Sequence, residues 1–302
     1  MPKLEIENLP ETLKPYGALG LGLEIRSGRK DATADCLFCG REGKLNILID
    51  KGTFRCAVCN KAGNQYSYIR KLHEDSLKAT PEKEYETLAA ERKLLSGKSL
   101  KAWGVCKSIL NGKWLLPGYS ADGSLNNLYQ YIYNGERKLL LPTATMKHQM
   151  FGRHLYDDSK PLVYLCEGVW DSISLWEVLG SCKSVEGEGV SLVRTSNAAS
   201  SLLSESNVLG IPGAMVFDKS WCSLLSGKTV IFMCQNDHPH KNLKTGEDSP
   251  PASYSGMTRI AKMLAAEKSP PNGMLYLYWG ENGFDLNFPS GFDVRDDLTH
   301  AN

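Results

Sequence analysis

Leu162-Val163-Tyr164-Leu165-Cys166-Glu167-Gly168-Val169-Trp170-Asp171 is the stretch on which the fold turns. Leu162 to Cys166 is a short apolar run, the pattern of a strand buried in a parallel sheet. Glu167-Gly168 ends it, and Trp170–Leu179 continues as a helix-like run. A carboxylate is thereby set at the C-terminal edge of a parallel strand, where open α/β sheets place their ligands. Asp171, four residues on, projects from the first helical turn towards the same place. Two converging carboxylates suit magnesium, a hard cation that prefers oxygen ligands. Taken alone, the stretch reads equally well as a surface Glu and Asp capping an ordinary helix.

The downstream sequence repeats the pattern. Asn207–Ile211, Thr229–Cys234 and Met274–Trp279 read as further short buried strands, with helical segments at Ser220–Leu225 and Gly256–Ala266. Strands alternating with helices predict a parallel sheet with helices on its faces. Gln235-Asn236-Asp237 stands at the end of the third strand, so Glu167, Asp171 and Asp237 are expected at one edge. The closing run Gly291–Leu298 brings Asp293, Asp296 and Asp297.

Upstream lies the most specific motif. Cys36-Leu37-Phe38-Cys39 and Cys56-Ala57-Val58-Cys59 are two CxxC knuckles, sixteen residues apart. Four thiolates on two tight turns match the closed tetrahedral shell of structural zinc. A redox role for a CxxC is the weaker alternative. Between the knuckles, Leu45–Ile49 and Thr53–Arg55 flank the turn Asp50-Lys51-Gly52, a β-hairpin pattern. A unit this small has little core, so bound zinc would supply folding free energy of about 10–16 kcal/mol. Tyr66, Tyr68, Arg70 and Lys71 then suit base stacking and phosphate contact on single-stranded nucleic acid. They fit equally an amphipathic helix packing Tyr68, Ile69 and Leu72 on the ribbon.

Pro10–Tyr16 is predicted helical, followed by a Gly-rich turn at Gly17–Gly22. Glu74–Lys101 is strongly charged and reads as an exposed helical tether, with Tyr85, Leu88, Ala89 and Leu94 on one stripe. Trp114–Tyr119, Leu128–Tyr133 and Arg137–Pro142 read as strands joined at Asp122-Gly123 and Asn134-Gly135. Lys147, His148, Arg153 and His154 bracket Phe151-Gly152 and form a local basic cluster suited to phosphates.

Composition narrows the class. The chain has 302 residues, 42% hydrophobic and 23% charged, with a formal net charge of +1, so any basic footprint is local. Nine cysteines, with no apolar leader at Met1–Glu7, point to reduced thiols and metal ligation, and so to a cytoplasmic setting. No run is apolar enough to span a bilayer. Gly97-Lys98-Ser99 and Gly227-Lys228-Thr229 are not phosphate loops, because Arg92 and Cys222 stand where the first glycine belongs. No Gly-x-Ser-x-Gly elbow of a serine hydrolase is present.

Zinc ribbon, basic middle segment, strand-Glu-Gly-helix and strand-end Asp together resemble the phage and bacterial DNA primases of the Toprim type, over about residues 10–300. The resemblance implies an α/β chain: a β zinc-ribbon DNA-binding domain (1–73), a helical linker (74–100), and a mixed α+β lobe of the polymerising domain (101–158). A Toprim parallel α/β sheet with a C-terminal acidic segment follows (159–302). Met150–Leu155 resembles the short motif before the Toprim strand, and Gly213-Ala214 a turn after the second strand. Glu167, Asp171 and Asp237 then correspond to catalytic acids, with Asp293 or Asp296 at the late acidic position. Glu167, Asp237 and Asp293 would hold magnesium or manganese, and Cys36, Cys39, Cys56 and Cys59 the zinc. Arg137, Lys138, Lys147 and Arg153 would meet nucleotide or template phosphates. The implied activity is synthesis of short RNA primers from ribonucleoside triphosphates on single-stranded DNA, in a bacterial or phage-infected cell, with a separate replicative helicase as partner.

The sequence departs from that family at one point. Where the family has Asp-x-Asp, then promptly Gly and a helix, this chain has Gln235-Asn236-Asp237 and a polar insertion from His238 to Ser255. The neutral ligand predicts weaker metal binding. It leaves open a chain that has kept the fold as a single-stranded-DNA-binding accessory; a Toprim nuclease is a third reading.

Overall fold

The computed structural model describes residues 6–92, 96–133, 138–141, 143–181, 204–213, 215–241, 246, 248–280, 283–293 and 296. The chain forms two units. One comprises Met1–Pro81, Gly104–Gly118 and Leu125–His148; the other comprises Glu82–Trp103, Tyr119–Ser124 and Gln149–Asn302.

The first unit is built on antiparallel strands. β1 (Glu24–Ile25), β2 (Asp31–Ala34), β3 (Leu45–Leu48), β4 (Phe54–Cys56) and β5 (Ala62–Gly63) form one sheet in sequence order. The hairpin expected from the sequence is β3–β4, with Ile47 opposite Phe54. Its turn is closed by Gly52 at φ 62°, a left-handed position that suits glycine. The first helix, α1 (Lys14–Ala18), starts later than expected, because Pro10–Leu13 closes only as a turn. Tyr16 on α1 donates its hydroxyl to the Gly52 carbonyl at 2.6 Å and ties the helix to the hairpin.

Asn64 then caps α2 (Gln65–Ala79), accepting from the amides of Tyr66 and Ser67, while the Ser67 hydroxyl closes a reciprocal capping box. α2 buries Tyr68, Ile69, Leu72, His73 and Ser76. Of the two readings the sequence leaves open for Tyr68, the packed one holds: it is fully buried with its ring edge-on to Tyr16. It is a core residue. Arg70, expected at a phosphate, donates from Nε to the Leu125 carbonyl at 3.1 Å and so fastens α2 to a second sheet. That antiparallel sheet is β6 (Cys106–Lys107), β7 (Trp114–Tyr119), β8 (Leu125–Tyr133) and β9 (Lys138–Leu141).

The second unit begins with α3 (Glu82–Glu91) and α4 (Gly97–Ala102). The segment read as an exposed tether is packed: Tyr85, Leu88 and Ala89 on α3 and Leu100 on α4 are buried. Its charges lie on the outer face, which is why the sequence looks like a linker; Leu94 lies outside the described residues.

The heart of this unit is a four-stranded parallel sheet. Its strands are β10 (Leu162–Glu167), β11 (Ser206–Ile211), β12 (Thr229–Met233) and β15 (Gly273–Leu277), in the order β11-β10-β12-β15. Val163 and Leu165 join Leu209, Ile211, Val230 and Phe232 in one core. That core also takes up α6 (Cys222–Leu225) and α7 (Ala252–Ala265), through Leu224, Leu225, Met257, Ile260 and Leu264. α5 (Val169–Ser181) follows β10 directly and packs along β10 and β11. The chain leaves β10 for β11 on one side and returns to β12 on the other. The order therefore reverses at β10, and the crevice beyond its C-terminal end is the switch point at which such sheets bind ligands.

The insertion after β12 is shorter than the sequence implied. It holds the small ribbon β13 (His240–Lys241) and β14 (Asp248–Ser249), and α7 starts at Ala252 rather than Gly256. No helix among the described residues is long and apolar enough to cross a membrane.

Candidate functional site

In the first unit the four cysteines gather at the end of the ribbon. Cys36 and Cys59 sulfurs lie 3.9 Å apart, and Cys39 and Cys56 sulfurs 3.8 Å. A tetrahedron of thiolates at about 2.3 Å from zinc has edges of about 3.8 Å. A disulfide would need about 2.05 Å. The four are thus spaced for one zinc and fit it.

The two knuckles are copies of each other. The Cys36 amide donates to the Arg41 carbonyl, and the Cys56 amide to the Lys61 carbonyl. Gly40 and Asn60 each return an N–H to the first cysteine's carbonyl, at φ 69° and 58°. Desolvation works against a Cys56 thiolate, but the N–H groups of Cys59 and Val58 at its sulfur, together with the neighbouring Cys36 and Cys59 thiols, bring it down to about 6. Arg41 and Lys61 occupy equivalent positions two residues after each knuckle, and both are exposed, as are Lys44 and Arg55. Arg41 and Lys61 recur two residues after each CxxC, a repeat visible in the sequence, whereas Lys44 and Arg55 have no such pattern.

In the second unit the acids lie at the switch point. β10 ends at Glu167, and Gly168, at φ 108°, turns the chain into α5. Gly210 on β11 keeps room for that turn, since a Cβ there would stand 2.5 Å from Ser172 Oγ and 3.0 Å from the Gly168 carbonyl. Asp171, in the first turn of α5, is buried, with Oδ2 directed back towards Gly168. From the end of β12, Gln235 Nε2 donates to Asp171 Oδ2 and to the Glu167 carbonyl, each at 3.2 Å.

Asp237 turns the other way. Its Oδ2 accepts the Ser253 amide at 2.9 Å near the start of α7, and Ser253 Oγ accepts the Gln235 amide. Asp293 is buried and accepts the Asp296 amide at 3.0 Å.

Two thiols report how closely these charges gather. Burial pushes Cys166 well up, and the carboxylates of Asp171 and Asp293 add to it. Burial likewise raises Cys234 to about 12, with Glu167 and Asp237 adding to the push. Carboxylates from β10, α5, the end of β12 and the closing segment thus lie near enough to these two buried thiols to act on them.

Asn236, which the sequence reading left without a role, is the fully buried pivot of this edge. Its Oδ1 accepts the Asp285 amide at 2.7 Å, and its Nδ2 faces the carbonyls of Asp285, Phe288 and Pro289 at 2.9 to 3.2 Å. Backbone bonds with Gly291 and Phe292 complete the clasp. The segment it holds leads straight to Asp293.

The basic residues are scattered. Lys147 is exposed in the first unit, and its carbonyl accepts from Asn127. Lys138 stands opposite Tyr133 in the β8–β9 ladder. Arg153, in the second unit, donates to the Ala121 carbonyl and lies over the Tyr156 ring. Arg137, Asp297, Ala214 and the Asn134-Gly135 turn lie outside the described residues.

Among the described residues, Cys36, Cys39, Cys56 and Cys59 are the one group of three or more His, Cys, Asp or Glu whose ligand atoms lie mutually close. The acids are gathered more loosely: Asp171, Asp237 and Asp293 each accept an N–H of their own, while at Glu167 it is the backbone carbonyl that accepts from Gln235.

No family model and no curated protein sequence matches the chain. Solved structures do. The primase fragment of the bacteriophage T7 primase-helicase protein is 15% identical, with 88% of this chain and 93% of that one covered, at a TM-score of 0.45. The zinc-binding and RNA polymerase domains of the Aquifex aeolicus primase are 14% identical, covering 98% and 82%, at 0.41. The catalytic core of the E. coli primase is 11% identical, covering 78% and 75%, at 0.47. These are primases of the phage and bacterial kind that the motifs resemble.

Proposed function

We propose that this chain is a primase-type nucleotidyltransferase that builds short RNA primers from ribonucleoside triphosphates on single-stranded DNA, in phage or plasmid-type replication. The observation that carries the reading is Gln235 drawing Asp171 and the Glu167 end of β10 together at the switch point. Asp237 follows two residues on, held by the Ser253 amide, in a chain that also has a four-cysteine ribbon.

The donor set suits magnesium or manganese: Glu167, Asp237 and Asp293 offer hard carboxylate oxygen. Bound there, the cation would neutralise triphosphate charge and polarise the phosphoryl group under attack by a 3′-hydroxyl. The chain's own part is positional. Glu167 presents its carboxylate from a rigid strand end, Asp237 is steadied by the Ser253 amide, and Asp171 adds negative charge from the first turn of α5. Arg41, Lys44, Arg55 and Lys61 are assigned to template phosphates beside the zinc, and Lys138, Lys147, Arg137 and Arg153 to nucleotide or template charge. A separate helicase is the expected partner.

Gln235 standing where a carboxylate would be expected favours a second reading, a non-catalytic protein that binds single-stranded DNA. Primer synthesis on single-stranded DNA with magnesium or manganese separates the two. The wild type should extend ribonucleotides and Glu167→Ala should not; equal product from both overturns the site.

A further inference from the structure

We infer that Gln235 is a positioning residue that holds Asp171 with an uncharged donor, so that the acidic crevice works with a single divalent cation. The inference rests on the cleft being the cation site proposed above.

Gln235 is oriented by what it touches. A carboxamide has a donor end and an acceptor end, and two contacts decide which way this one faces. Its near neighbours, Asp171 Oδ2 and the Glu167 carbonyl, are both acceptors, each at 3.2 Å. Only the –NH2 end can satisfy them, so the carbonyl end is turned away. The partly positive hydrogens therefore lie between the first turn of α5 and the end of β10. That is where a cation shared by Asp171 and a β12 carboxylate would have to sit. A cation placed on that edge of Asp171 would face those partly positive hydrogens, which repel it where a carboxylate at this position would attract it.

The surroundings fix Gln235 in this role. Its own amide is held by Ser253 Oγ at 2.9 Å, and the next residue, Asn236, is fully buried and clasped to the 285–292 segment. Gln235, Asn236 and Asp237 thus each grip a different neighbour: β10 with α5, the segment leading to Asp293, and the start of α7. Asp171, Asp237 and Asp293 are each held by an N–H before any cation arrives, and Glu167 is held through its backbone carbonyl. Asp171 then contributes charge, while Glu167, Asp237 and Asp293 remain as the ligand set for one ion.

The test is Mn2+ titration of the zinc-loaded full chain, read by the paramagnetic resonance of unbound Mn2+, with thermal unfolding recorded in parallel. The wild type should bind one Mn2+. Gln235→Glu is isosteric but replaces the donor by a carboxylate facing Asp171. It should unfold at a lower temperature without metal, regain that loss with Mn2+, and bind two ions. Gln235→Ala removes the donor without adding repulsion. It should still bind one ion, with affinity reduced roughly tenfold, as for loss of a group that orients a metal's surroundings. Two ions in the wild type, or a Gln235→Glu chain with unchanged stoichiometry and unchanged metal-free stability, overturns the inference. So does a Gln235→Ala chain of wild-type affinity. Glu167→Ala is the control for the underlying reading: it should lose Mn2+ binding, and if it binds normally the cleft itself is misassigned.

Discussion

Removing the Asn236 side chain should loosen the acidic edge while leaving every carboxylate chemically intact. The side chain is fully buried. It accepts one hydrogen bond, from the Asp285 amide at 2.7 Å, and its two amide hydrogens serve the carbonyls of Asp285, Phe288 and Pro289. Two hydrogens support two good bonds, so three are lost in Asn236→Ala. At about 1 kcal/mol net each, the cost is about 3 kcal/mol. The Trp279, Phe288 and Phe292 rings, with centroids about 5 Å apart, continue to pack the segment. The loss should therefore appear first as local opening.

Asn236→Asp sharpens the sign. It keeps an acceptor for the Asp285 amide but turns both donors into charged oxygen facing three carbonyls, so it should be at least as damaging as alanine. Hydrogen exchange at the Asp285 and Gly291 amides, read with denaturant unfolding, measures both effects. A change below about 0.5 kcal/mol, the range of ordinary surface substitutions, with unchanged exchange at both amides would refute the assigned role. So would Asn236→Asp proving milder than Asn236→Ala.

Three further outcomes are expected. Elemental analysis should find one zinc per chain, and a strong chelator or Cys56→Ser should release it and melt the ribbon strands, while the parallel sheet keeps its exchange protection. Gly152→Ala should destabilise by about 2 kcal/mol or more, because φ is 79° and a Cβ would stand 2.6 Å from the Trp103 ring and 3.0 Å from the Val208 carbonyl; thermal unfolding checks this. Arg70→Ala should lower stability by about 1–2 kcal/mol through the lost Leu125 and Asn126 contacts. Its single-stranded-DNA binding should keep the wild-type salt slope, whereas Arg41→Ala should flatten that slope.

The parallel sheet and the zinc ligands were legible because their signals are local. An apolar run ending in Glu167-Gly168 reads as a buried strand leaving its sheet, and two CxxC pairs state a coordination number. The role of Tyr68 stayed open between two readings, and those of Arg70 and Asn236 were not legible, because each is decided by a partner distant in the chain. A Tyr beside basic residues reads alike whether it meets a base or, as Tyr68 does, a buried ring. An Asn after a strand reads as solvated unless the segment 49 residues later is known to close over it. The outer ribbon strands β1 and β2 are short and mix charged or small residues with few apolar ones, so only the pairing of β2 with β3 and of β1 with β2 reveals them. The charged segment around α3 reads as a linker because Tyr85, Leu88 and Ala89 are few among its Glu and Lys residues.

The most direct test of the central claim is incorporation of labelled ribonucleotides by the zinc-loaded full chain on single-stranded DNA, with Mg2+ or Mn2+, beside Glu167→Ala and a template-free control. The account predicts short, template-dependent RNA products from the wild type alone. Products of equal yield from Glu167→Ala, or none from the wild type under conditions where it cleaves labelled DNA without added nucleotides, would contradict it.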